Sequence, residues 1–131
     1  MTPTEAENYI YNKFNSKKLN SCIFRFQDTR DATARSKSGK TVVFDRNPSD
    51  FVMTRNGVTA FVEVKTTESV RGTNENLFKQ QAARRDMILN CGGKYIYFIY
   101  SNKNFCWFIA SGDFIRENPN RKWNEFDRLE I

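Results

Sequence analysis

Asp50, Glu63 and Lys65 are the residues of this sequence best placed to do chemistry, and a turn is what places them. The segment 48–67, PSDFVMTRNGVTAFVEVKTT, carries Asn56-Gly57 between two apolar runs. That pair is the strongest short hairpin signal, because a type I′ turn needs positive φ at both central positions. With the turn at 56 and 57, position 50 falls directly opposite position 63, so both carboxylates leave one face with β-carbons about 4.5–5.5 Å apart. Period two sends Glu63 and Lys65 to that face and Val62 and Val64 to the other, where the valines can join a core. Like charges at this spacing repel, so something positive should sit between them. Two readings stay open: an exposed sheet face with a partly compensated salt bridge, or two carboxylates on adjacent strands that hold Mg²⁺. In the second, a neighbouring lysine orients or deprotonates a water on the ion, an arrangement suited to phosphodiester hydrolysis.

Composition narrows the alternatives. Histidine is absent, which excludes Ser-His-Asp and Cys-His nucleophiles, His-ligated zinc and His general bases. Any catalysis must run on carboxylates, lysine, hydroxyls and a hard ion held by oxygen. Lys+Arg 21 against Asp+Glu 15 gives a formal net charge of +6, which favours a polyanionic partner. A chain of 131 residues supports one real core, so a single domain over 1–131 is expected, and 12 Phe and 5 Tyr spread along it exclude disorder. No apolar run approaches the roughly 20 residues of a membrane span. The start, MTPTEAENYIYNKF, lacks a signal-peptide pattern, and Cys22, Cys91 and Cys106 form no even framework, so a reducing cytoplasm is expected.

The elements that must position the acids follow from periodicity. Thr2-Pro3-Thr4-Glu5 reads as a capped helix start, continuing to about Lys18 with Ala6, Ile10 and Phe14 on the buried face. Glu7 sits at the edge of that stripe, either as a surface charge welcomed by the helix dipole or as a functional acid. Residues 22–26 alternate like a strand, and 27–40 read as a mobile basic loop around Arg30, Arg35, Lys37 and Lys40, either a solvated connection or a phosphate contact. Thr41–Phe44 reads as a short strand. Asn74–Asn90 reads as a second helix, ended by Gly92-Gly93, and 94–100 (KYIYFIY) as a strand buried on both faces. After a turn at 102–104 comes a strand over 105–110, then a short helix and a poorly specified tail. The order α, β, β-hairpin, α, β, β predicts an α/β fold with a mixed sheet flanked by helices.

Pro48-Ser49-Asp50 followed by Glu63-Val64-Lys65 resembles the signature of the PD-(D/E)XK nucleases. The closer likeness is to Holliday junction resolvases of the archaeal and RecU types. In these an acid on the first helix, an aspartate at the hairpin start, an E-x-K strand and a helix glutamine precede a Gly-Gly and a hydrophobic strand. Glu7, Asp50, Glu63 with Lys65, Gln80-Gln81, Gly92-Gly93 and KYIYFIY occur here in that order, over about residues 5 to 110.

The resemblance implies a restriction-endonuclease-like core and a Mg²⁺-dependent endonuclease, Mn²⁺ substituting, that nicks four-way DNA junctions in pairs. By the same likeness Asp50, Glu63 and the Val64 carbonyl bind the metal, Lys65 positions the attacking water, and Glu7 completes the site directly or through water. Gln81, or Gln80 if the helix is turned, would hydrogen-bond near the scissile strand. Charge adds Arg30, Arg35, Lys37, Lys40, Arg84 and Arg85 as phosphate contacts, with the hydroxyl of Thr66 beside them. Paired nicking needs two active sites and hence a homodimer, for whose face Trp107, Phe105 or Phe108 are candidates. The alternatives are a nicking, repair or restriction-like nuclease of the same fold, or a non-catalytic nucleic-acid binder. The small size suits a phage or mobile element.

Overall fold

The computed structural model describes residues 1–27, 33–35, 41–43 and 47–130. The chain opens with α1 (Pro3–Phe14), in which Thr2 accepts from the Glu5 amide and Glu5 returns the bond to the Thr2 amide, the capping box expected from the sequence. The helix ends at Phe14 and not near Lys18. Lys17 and Lys18 are exposed and bring no apolar surface to the stripe, while Ser16 pairs with Ser21 and turns the chain into β1 (Ser21–Arg25). Of the stretch read as a basic loop, Thr33–Arg35 forms β2, which pairs antiparallel with β3 (Thr41–Val43), the short strand expected after it. Arg30, Lys37 and Lys40 lie outside the described residues, as does the side chain of Arg35.

The hairpin is β4 (Phe51–Arg55) and β5 (Val58–Thr67), joined at Asn56 (φ 51°) and Gly57 (φ 80°). Phe51 pairs with Val62 and Arg55 with Val58, the register that the turn demands. A 3₁₀ stretch (Glu75–Gln81) leads into α2 (Ala82–Asn90), so only the second half of the expected helix is α-helical. Next come β6 (Tyr95–Ser101), β7 (Cys106–Ser111) and α3 (Gly112–Glu117). After these, a short 3₁₀ turn (Trp123–Glu125) precedes β8 (Asp127–Arg128).

The strands form a six-stranded sheet in the order β1-β4-β5-β6-β7-β8, parallel between β5 and β6 and antiparallel elsewhere. One face packs on α1 through Ala6, Ile10 and Phe14 against Ile23, Phe51, Met53, Val62, Val64, Phe98 and Trp107. The other gathers Phe78, Tyr95, Tyr97, Ile99, Phe108, Ile115, Trp123 and Phe126 beneath the 3₁₀ stretch, α2 and α3. This is the expected mixed sheet between helices. The C-terminal tail is firmly specified, contrary to the sequence expectation. Trp123 stacks on Phe108 with centroids 4.4 Å apart, and Phe126 packs beside both, so aromatic burial pins residues that composition alone reads as loose. Trp107 stacks on Tyr9 and is buried in the first cluster, as Phe108 is in the second, so neither offers an exposed dimer face.

Candidate active site

Two buried bonds fix where β4 begins. The Tyr95 hydroxyl donates to the Pro48 carbonyl at 2.6 Å, and buried Ser49 donates its hydroxyl to the Phe51 carbonyl at 2.7 Å. They hold the Pro48–Asp50 turn against the central strand β6, and the Phe26 amide donates to the Asp50 carbonyl from the outer side. Asp50 is therefore delivered at the point where β5 runs on beyond β4.

There the acids interlock through the backbone. The Asp50 amide donates to Glu63 Oε1 at 3.0 Å, and the Val64 amide donates to Asp50 Oδ2 at 2.8 Å. Lys65 Nζ lies 3.3 Å from Glu63 Oε2. Asp50, Glu63 and Lys65 thus converge as the hairpin register requires, while Val62 and Val64 enter the core on the α1 face. Glu63 is only 4% exposed. Burial, together with the Asp50 charge, pushes its pKa up to about 8, and Lys65 offsets this only in part.

Two hard carboxylates in one buried niche, with a single ammonium to balance them, suit a divalent cation of the Mg²⁺ type, which needs no more than one or two protein carboxylates. Among the described residues no group of three or more acidic, His or Cys side chains could hold an ion, so Glu7 does not join the pair. Its helix covers the Val62 and Val64 face, opposite to the Glu63 side chain, and Glu7 lies 3.5 Å from Arg25.

The two glutamines part clearly. Gln80 is exposed, whereas Gln81 is half-buried and its Oε1 is shut from solvent with no hydrogen-bond partner. Gln81 is three residues from Phe78, whose ring meets Tyr97 at 4.8 Å, and Tyr97 is the parallel-register partner of Glu63. Gln81 therefore lies on the element that covers the sheet face of Tyr97 and Glu63, and its orphaned oxygen still wants a donor.

Arg85 departs from expectation. It is 6% exposed, with Nε 2.9 Å from Asp86 Oδ1 and an amino group donating to the Tyr97 hydroxyl at 3.2 Å. Helical spacing from Phe78 turns it inward, so it brackets the core and is not a surface phosphate contact. Arg84 and Thr66 are half-buried. Tyr95 and Ser49, which hold the Asp50 turn, were not singled out by sequence reasoning. Ser49 stood inside the Pro-Ser-Asp triplet, and Tyr95 carried no signal apart from its strand.

No protein-family model matches the sequence, and no curated protein matches it. Among solved structures the chain is similar to Hjc, a Holliday junction resolvase from the archaeal hyperthermophile Archaeoglobus fulgidus. The match has a TM-score of 0.56 at 11% sequence identity, over 97% of this chain and 87% of that one. The likeness extends to the whole fold. No described helix is long and apolar enough to cross a membrane.

Proposed function

We propose that this chain is a divalent-metal-dependent DNA endonuclease that acts on branched DNA, nicking four-way junctions in pairs as a homodimer. The observation that carries the reading is the meeting of Asp50, at the entry to β4, with Glu63 and Lys65 on β5, in a fold similar to that of a junction resolvase. Asp50, Glu63 and the Val64 carbonyl would hold Mg²⁺, or Mn²⁺ in its place. The ion supplies charge neutralisation at the scissile phosphate and a water of lowered pKa.

The chain's own groups do the rest. The Asp50 amide and the Val64 amide keep the two carboxylates in register, so little rearrangement is needed when DNA arrives. Lys65, beside Glu63, orients the attacking water along the line of displacement. Gln81, whose buried oxygen has no donor, would hydrogen-bond near the scissile strand. Glu7 is not a direct ligand in this scheme, and its charge acts through Arg25. Phosphates beyond the cut are met by Arg84, Thr66 and the basic residues Arg30, Arg35, Lys37 and Lys40.

The test is cleavage of a labelled four-way junction with and without Mg²⁺, beside a flap and a linear duplex. Lys65→Ala should lower the rate about 100- to 10,000-fold while leaving junction binding intact. Equal cutting of all three DNAs would remove the junction substrate, and no cutting with either Mg²⁺ or Mn²⁺ would remove the nuclease.

A further inference from the structure

The turn between β6 and β7 carries a phenylalanine where a glycine would be at ease. Phe105 has φ +53° and is 80% exposed, the most exposed large apolar side chain among the described residues. Left-handed backbone is a genuine outlier for a bulky residue, and an aromatic ring in water gains nothing from folding. The turn that holds it is nonetheless tightly built. Buried Ser101 accepts from the Asn104 amide and side chain, and its carbonyl accepts from the Phe105 amide at 2.9 Å. Asn102 and Asn104 bond onward to the Thr67 and Val70 carbonyls, on the segment that leaves the active strand.

The surroundings are cationic. Lys103, two residues before Phe105, is in loose contact with exposed Glu68. A cleft of about 410 Å³ beside Asn104 is lined by Val70, Arg71, Lys122 and Trp123. Neither the Arg71 nor the Lys122 side chain makes an ion pair among the described residues, although the Lys122 amide donates to Glu125 Oε2 at 3.1 Å. The position is also apt. Because β5 and β6 are parallel, with Glu63 opposite Tyr97 and Thr67 opposite Ser101, the turn lies at the end of the sheet to which Lys65 leads. That is roughly 13 Å from Glu63 by strand rise.

We propose that Phe105 is a stacking wedge, which seats on the base face left open where a DNA helix is interrupted, while Lys103, Arg71 and Lys122 take the flanking phosphates. This deepens the endonuclease reading and rests on it, since it supplies the means by which that site selects branched DNA. Away from its two ends an uninterrupted duplex presents no free base face, so within it the ring gains a partner only at a discontinuity. Stacking of this kind tolerates any base.

The experiment compares affinity for a four-way junction with affinity for a linear duplex of the same arm sequence, using the full chain and the variants Phe105→Gly and Phe105→Trp. Phe105→Gly should weaken junction binding about 5- to 100-fold, leave duplex binding unchanged and melt no lower than the parent. Phe105→Trp should keep junction affinity, and its added emission should change on binding the junction and not the duplex. Equal losses on both DNAs, or none, would overturn the wedge. A fall of the Phe105→Gly protein to half the parent's mass in light scattering would also overturn it, by assigning the ring to a contact between copies. Metal-dependent cleavage by the unmutated chain is read in parallel. Cleavage with no effect of Phe105→Gly sinks the wedge alone, whereas absence of both cleavage and junction preference sinks the wedge and the reading beneath it.

Discussion

Glu63 is a carboxyl group that folding makes harder to ionise. Buried beside Asp50, it holds its proton to about pH 8, whereas in the unfolded chain the proton leaves near the ordinary value of 4.5. The folded state therefore binds more protons between those limits. The stability this contributes is complete below pH 4.5 and is lost as the pH climbs through about 8. Glu63→Gln keeps an oxygen to accept from the Asp50 amide and abolishes the charge. In chelator, this variant should melt several degrees above the parent at about pH 9, and the gap should close near pH 4. Thermal melts at the two pH values decide it, and a gap independent of pH would mean that Glu63 is not desolvated.

At the level of elements, the β4–β5 hairpin is the frame on which the site depends. Gly57 has φ +80° and nothing within 4 Å of where a Cβ would stand, so Gly57→Ala probes backbone strain alone. It should cost about 1 kcal/mol, seen as a fall of roughly 2–5 °C in Tm. The hairpin was legible in the sequence because its information is local: Asn56-Gly57 sets the turn, the turn sets the register, and period two sets the faces. The capping box of α1 and the doubly buried β6 were legible for the same reason. What escaped depends on which side of the sheet a helix covers. The resemblance carries Glu7 to the acids from the first helix, yet α1 lies over Val62 and Val64. Arg85 reads as a surface cation from its type, yet its spacing from Phe78 turns it toward Tyr97. The tail's aromatic residues, Trp123 and Phe126, find their partners on β7, which no local pattern encodes.

On the scale of the molecule, the C-terminal residues close over the segment that links β5 to the 3₁₀ stretch bearing Gln81. Thr73 donates its amide to the Arg121 carbonyl at 2.8 Å, Trp123 donates to the Arg71 carbonyl at 2.9 Å, and the Trp123 indole donates to the Ser69 carbonyl. Gly72 sits in the middle, and a Cβ there would stand 1.9 Å from the Arg121 oxygen. Gly72→Ala should accordingly lower Tm by roughly 5–10 °C, and calorimetry on the purified variant would show it. An unchanged Tm would mean that this clasp is easily displaced. The clasp also imposes an order on synthesis. As the polypeptide leaves the ribosome, Asp50 and Glu63 emerge long before Trp123 reaches the open, and until it does the Ser69 and Arg71 carbonyls lack the donors that Trp123 brings. A product ending before Trp123 would thus carry both acids without the clasp that ties the stretch 69–73 to the C-terminal residues.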